Sequence, residues 1–175
     1  MRSKKEKSIF PSRTLSNPDR RQEKLSENLN AAPNKKYQMR QSSVRITRGE
    51  IEPDVWLRNQ YTNETEHMIC QICKDMMPFK KSNGDYYFEA VEAFTKDHFP
   101  KEYEAQFLAL CPLCAARYKE FIKRDEDAIK KLKNELVNST EPEIPLQLGE
   151  LVTSIQFVEI HYHDIKTILE EENVT

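Results

Sequence analysis

Large apolar residues are spread unevenly along the chain, and their spacing divides it into three stretches. Over residues 1–50 they are sparse, and Ser, Asn, Pro, Lys and Arg dominate. Such a stretch buries too little apolar surface to offset the entropy of ordering it, so a mostly disordered arm is predicted. One local helix is predicted inside it, over NPDRRQEKLSENLNAAP, with Asn17 as N-cap, Pro18 at the first helical position and Pro33 beyond the end. Its apolar face is only Leu25 and Leu29, so it needs a partner surface to persist. SSVRITRGE, residues 42–50, reads as a short strand or an extended arm.

The second stretch, 51–138, is richer in apolar residues. Val55, Trp56, Leu57 and Tyr61 give a short helix one apolar side, with the single tryptophan expected to cover the module that follows. MMPFKKSNGDYYFEAVEAF reads as a β-hairpin. Asn83-Gly84 supplies residues that tolerate positive φ, and Tyr87, Glu89 and Val91 alternate with Tyr86, Phe88 and Ala90. TKDHFPKEYEAQ is predicted to be a loop or short helix broken at Pro100, and FLAL is an apolar run. One long helix is predicted from Pro112 to about Asn138. Tyr118, Phe121, Ile122, Ile129, Leu132 and Leu136 form its buried stripe, and its length is roughly 40 Å. The third stretch, 139–175, is predicted to be a strand over EPEIPLQLGE, a second strand over LVTSIQFVEIHYHD, and a closing helix capped by Asp164, all packing on the module before it. The fold class expected is α+β, and no internal repeat is visible.

Charge sharpens this division. Residues 1–48 hold 13 Lys and Arg against 4 Asp and Glu, whereas residues 49–175 hold 14 against 25. A basic arm on an acidic body suits nucleic acid or an acidic partner, or folding back on its own body. Lys4, Lys5, Lys7, Arg13, Arg20, Arg21, Lys35, Lys36, Arg40, Arg45 and Arg48 are the candidate phosphate contacts. Such contacts would be salt-sensitive and blind to sequence. Only Phe10 and Tyr37 are placed to stack on bases. No apolar run is long enough to span a membrane, and MRSKKEKSIFPSR lacks the apolar segment of a secretory signal. A reducing cytoplasmic setting is therefore expected, in which the three Asn-X-Thr triplets carry no meaning.

The four cysteines carry the clearest chemistry. They form two pairs, Cys70-Gln-Ile-Cys73 and Cys111-Pro-Leu-Cys114, with 37 residues between. Each CxxC turn presents two thiolates to one cation, and two such turns complete a tetrahedral zinc shell with no thiol left over. Disulfides suit an exported chain, and a redox motif needs only one pair. Iron in a rubredoxin-like site is a minor competitor, since the glycine usual after such a knuckle is Ala115 here. Knuckle, hairpin, then a knuckle opening a helix is the order of a treble-clef zinc finger. A closed four-sulfur shell marks a structural metal. One structural Zn2+ is expected, held by Cys70, Cys73, Cys111 and Cys114.

CQICKDMMPFKKSNGDYYFEAVEAF followed by QFLALCPLCAARYKEF resembles the zinc-bearing HNH endonuclease module over residues 70 to about 121. The cysteines, Pro78, Gly84, Tyr87, Glu89, Ala109, Leu110 and Pro112 fall in step with it. The resemblance places a histidine pair, one metal ligand and one general base, where this chain has Val91 and Glu92. It also places an asparagine at Gln106 and a late histidine at Ala115. Valine and alanine neither bind a cation nor take a proton, and alternation along a strand would point Glu89 and Glu92 to opposite faces. The segments NPDRRQEKLSEN, LRNQYTN with ICQICKDMMPF, YYFEAVEAF, LALCPLCAARYKEF and SIQFVEIHYHDIKTIL are together similar to the C-terminal end of bacterial sacsin-related ATPases with histidine-kinase/heat-shock-type ATP-binding domains. No P-loop or glycine-rich phosphate loop is present in a chain with three glycines.

Four histidines remain. His67 is a possible competing ligand, His98 an exposed loop residue, and His161 with His163 lie on one face of the predicted last strand beside Asp164. The expected function is a non-catalytic zinc-binding interaction module that takes protein or nucleic acid, with no catalytic residue assigned. The alternatives are an HNH-type nuclease acting on DNA through relocated ligands, and a redox switch of the zinc thiolates.

Overall fold

The structure, a computed structural model, describes residues 9–35 and 52–174. Five helices and two small antiparallel sheets make a mixed α+β fold. In chain order these are α1 (Pro18–Ala31), α2 (Pro53–Tyr61), β1 (Glu89–Glu92), β2 (Phe107–Leu110), α3 (Pro112–Tyr118), α4 (Glu126–Asn138), β3 (Glu143–Leu148), β4 (Leu151–Gln156) and α5 (Glu159–Val174). β1 pairs with β2 from Glu89 opposite Leu110 to Glu92 opposite Phe107. β3 pairs with β4 from Glu143 opposite Gln156 to Leu148 opposite Leu151. One buried cluster runs through all of it, from Leu29 and Trp56 through Phe94, Leu108 and Tyr118 to Ile129, Ile155 and Leu169.

Much of the local structure follows the polar pattern. In β3, Ile144, Leu146 and Leu148 are buried while Glu143, Pro145 and Gln147 are exposed, the period of two that a half-buried strand requires. The hairpin expected around Asn83-Gly84 forms: Lys80 bridges Tyr86, and the Tyr87 N–H donates to Phe79 O at 2.9 Å. Gly84 takes the positive φ, +90°. Beyond the turn the chain leaves its first arm, and β1 pairs with FLAL, which is therefore β2 and not a mere approach to the second knuckle.

The long helix predicted from Pro112 to Asn138 is broken. α3 ends at Tyr118, a wide π-turn covers Lys119–Lys123, and Asp125 leaves the helix at φ −111°, ψ 108°. Its carboxylate then caps α4 by accepting from the N–H groups of Asp127 and Ala128 at 3.0 and 3.1 Å. Asp followed by two acidic residues is a helix start as well as a helix interior, and the cap prevails because it satisfies two otherwise orphaned donors. The break redirects the apolar stripe. Ile122, Ile129, Leu132 and Leu136 stay buried, but Phe121 turns out to the surface over Gly149 of the β3–β4 turn.

The last predicted strand also ends early. β4 stops at Gln156 and α5 begins at Glu159, so His161 and His163 are helical and Asp164 is not a cap. The pattern that wins is the buried set Val158, His161, Ile165, Ile168 and Leu169, spaced three and four apart. His161 is fully enclosed. Trp56 and Phe157 meet its ring edge-on, each at 4.9 Å between centroids. Tyr61 Oη lies 2.6 Å from Nδ1, and Nε2 lies 2.8 Å from Ala105 O. A carbonyl can only accept, so Nε2 carries the hydrogen and Nδ1 accepts from the tyrosine, which fixes the neutral tautomer.

Residues 9–35 are not a free arm. Asn63 Nδ2 donates to Ile9 O, Arg13 donates to Asn59 O and Thr62 O, and the Ile160 N–H donates to Arg13 O. α1 carries the predicted Asn17 cap, which accepts from Arg20 N at 3.1 Å. It finds its partner surface on α5, where Leu25 and Leu29 are buried at roughly 1.5–3 kcal/mol each. Arg21 grips Asp164 with two hydrogen bonds of 2.7 Å, and Ser26 donates to Glu171. This stretch is a strap on the body. SSVRITRGE, Tyr37 and the basic residues Lys4, Lys5, Lys7, Lys36, Arg40, Arg45 and Arg48 lie outside the described residues.

Candidate metal centre

The first knuckle is a turn between two short ladders. Ile69 N–H donates to Tyr61 O on one side, and Met77 N–H to Met68 O on the other. Within it, Cys70 N–H donates to Asp75 O and Lys74 N–H to Cys70 O, with Lys74 at φ +60°. That left-handed residue reverses the chain just after Cys73, so both sulfurs face inward together. The second knuckle is a strand end running into a helix. β2 stops at Leu110, Cys111 is the N-cap of α3 with Pro112 at the first helical position, and Cys111 Sγ accepts from Cys114 N at 3.5 Å. Cys111 N–H donates to Cys70 Sγ at 3.4 Å, joining the two turns.

All four sulfurs lie within 4.8 Å of one another, with Cys73 and Cys111 at 4.0 Å. A tetrahedral shell with Zn–S near 2.3 Å has edges of about 3.8 Å, so the cage is of ion size. A disulfide needs about 2.05 Å, and all four cysteines are free thiols. Cys70 and Cys114 are buried, Cys111 is half-buried and Cys73 is exposed. Hydrogen bonds from Cys114, Cys70 and Cys73 hold the Cys111 thiol far below its usual range. The contact with Cys111 pushes Cys114 and Cys73 up in turn. The four sulfurs thus share protons among themselves, and a dication bound between them would replace those protons.

Gln71, inside the first pair, ties the cage to both sheets and was not singled out from the sequence. It is fully buried. Its Oε1 accepts from Ala109 N at 2.8 Å and its Nε2 donates to Gln156 O at 3.1 Å. Its own N–H donates to Ala109 O, and its carbonyl accepts from Gln156 N. Lys74 adds a clamp to the same sheet, through Ser154 on β4 and through Glu143 on β3 at 3.3 Å. No residue-type pattern announces such a glutamine, because its partners lie 38 and 85 positions away.

The positions singled out by the HNH resemblance are filled otherwise. Val91 is buried opposite Leu108, and Ala115 is fully buried. Glu92 pairs with Lys123 at 3.8 Å and Glu89 with Lys119 at 2.6 Å. Alternation would separate those two carboxylates, yet both reach lysines one turn apart on the same helical run. Gln106 is buried and accepts from Lys35 Nζ. Among the histidines, His67 bonds locally to Asn63 and Thr65. His98, expected to be exposed, is half-buried with Nε2 3.7 Å from Glu126. Among the described residues only the four cysteines form a cluster able to hold a metal ion. Among the same residues no helix is long and apolar enough to cross a membrane.

Family models, curated proteins and solved structures were each compared with this chain, and none matches.

Proposed function

We propose that the chain is a zinc-organised interaction module without catalytic residues, built as a treble clef of HNH type whose reactive positions have been replaced. The observation that carries this reading is the convergence of four sulfurs from two knuckles into one closed shell. Such a shell leaves no coordination position for substrate or water, so the zinc shapes the fold and does no chemistry. Cys70, Cys73, Cys111 and Cys114 hold the ion, and Gln71 and the Cys111 N–H orient the knuckles around it. The replaced positions support the same reading, because the carboxylates nearest them are already neutralised by lysines. The partner is a protein or a nucleic acid. Arg13, Arg21 and Lys35, three of the basic candidates, are committed to contacts within the chain, which leaves the remainder for phosphate.

Metal analysis of the purified protein tests the centre: one zinc per chain is expected, lost on Cys70→Ser or Cys111→Ser, and a metal-free folded protein would overturn it. Capture from lysate with and without nuclease treatment separates the partner classes. Retention of nucleic acid alone, falling steeply with salt, assigns phosphate binding. Cleavage of plasmid in magnesium or manganese that is abolished by Glu92→Ala would sink the non-catalytic reading.

A further inference from the structure

The last described residues of the strap, 32–35, make a contact unlike the rest of it. Residues 32–35 run antiparallel to 100–102: Lys35 N–H donates to Pro100 O at 2.8 Å, Glu102 N–H to Pro33 O at 3.0 Å, and Lys101 Nζ to Ala32 O at 3.2 Å. From there the Lys35 side chain turns inward, leaving the residue 8% exposed. Lysine is almost never this buried unless its ammonium is met by built partners.

The partners are specific. Nζ donates to Gln106 Oε1 at 2.8 Å and to Phe94 O at 3.3 Å, and it lies 5.3 Å from the centroid of the Phe99 ring. Gln106 is itself fully buried, and its Nε2 donates to Lys101 O at 3.1 Å, which fixes the amide with its oxygen towards the ammonium. Two oxygens and an aromatic face suit a compact ammonium, while the paired carboxylate oxygens that a planar guanidinium prefers are missing from these contacts. Burial draws the Lys35 pKa down to about 8, opposed by Glu92, Glu102 and Glu172 and aided by Lys123.

We propose that Phe94 O, Gln106 Oε1 and the Phe99 ring form a binding niche for an alkylammonium group, which the chain fills with its own Lys35, making the strap a self-ligand. The niche is separate from the cysteine cage, so this inference stands whether or not that cage holds zinc. An alkylammonium from outside competes for it only when the strap lets go.

Chemical rescue tests the proposal in the full-length protein. Lys35→Ala deletes the equivalent of n-propylammonium. The variant should show a lowered Tm and an approximately tenfold to hundredfold loss of hydrogen-exchange protection at the Lys35-site and Glu102 amides, the range expected for a charge-assisted hydrogen bond. n-Propylammonium chloride should raise the variant's Tm and restore protection, while n-propanol with matched salt should not, and the wild type should respond to neither. Equal rescue by n-propanol, or no rescue by the amine, overturns the niche. If Lys35→Ala does not fold, Lys35→Met keeps the stem and removes the ammonium. Loss of strap protection is then expected, and protection equal to wild type overturns the proposal.

Discussion

His161 makes the fold acid-sensitive in a way that can be isolated. Burial pushes its folded pKa down to about 3, only partly offset by the hydrogen bond to Ala105 O, against an unfolded value near 6.5. A depressed pKa means the unfolded chain binds the proton first. The stability is therefore fully present above about pH 6.5 and drains away as pH falls towards 3. At pH 5 the unfolded state gains about 2 kcal/mol from this protonation, and at pH 7 almost nothing. That is a large share of the roughly 5–15 kcal/mol that holds a domain together. The assay is urea unfolding at pH 7, 6 and 5 for wild type and His161→Gln, which retains a donor and an acceptor but does not titrate. Sulfur protonation, and the loss of any metal held by the cysteines, would act on both proteins and cancel in the comparison. The variant should be weaker at pH 7 and lose about 2 kcal/mol less than wild type between pH 7 and 5. Parallel curves would refute the neutral, caged histidine.

Gln71→Ala strips a buried acceptor from Ala109 N–H and a buried donor from Gln156 O, so a loss of about 2–4 kcal/mol is expected in urea unfolding. By contrast, Gln60 Oε1 is buried with no hydrogen-bond partner, so Gln60→Leu should be neutral or stabilising in the same assay. Gly149→Ala places a Cβ 2.9 Å from Phe121 Cζ at a φ of +66°, whereas at Gly84, φ +90°, nothing lies within 4 Å. Each substitution should cost about 1–3 kcal/mol for its backbone, with Gly149→Ala the costlier in thermal unfolding; equal costs would mean that Phe121 is free to move aside.

What the sequence made legible was local chemistry. Two CxxC pairs mark four candidate metal ligands by spacing alone, and the structure brings all four sulfurs together. Asn17 before Pro18 marks a helix start, and the alternation in EIPLQL marks a strand, because each signal is complete within a few residues. The misplaced boundaries arose where two local signals compete. Around Asp125 the apolar spacing continues through the break, and only the double cap from its carboxylate decides for two helices. In FVEIHYHD the apolar residues fit a strand and a helix equally, and the burial of His161 against Trp56 and Phe157 settles it.

For the strap, folding back on the body was one of the alternatives the charge pattern left open, and the sequence alone could not choose it. Its sparse apolar residues and excess of cations are the composition of a solvated tail, and composition cannot see partners far along the chain. Arg21 meets Asp164 across 143 positions, and Lys35 meets Gln106 across 71. Two leucines suffice to dock α1 because the entropy of ordering it is shared with Arg13 at one end and Lys35 at the other. The basic charge that suggested an arm reaching outward thus includes cations that hold the chain to itself. At Lys35 the same charge is aimed into the core, beside the place where the HNH resemblance would put reacting groups. The body's acidic surplus is therefore partly answered from within, at Asp164, and an alkylammonium that competes with the strap would take the place of Lys35 in its niche.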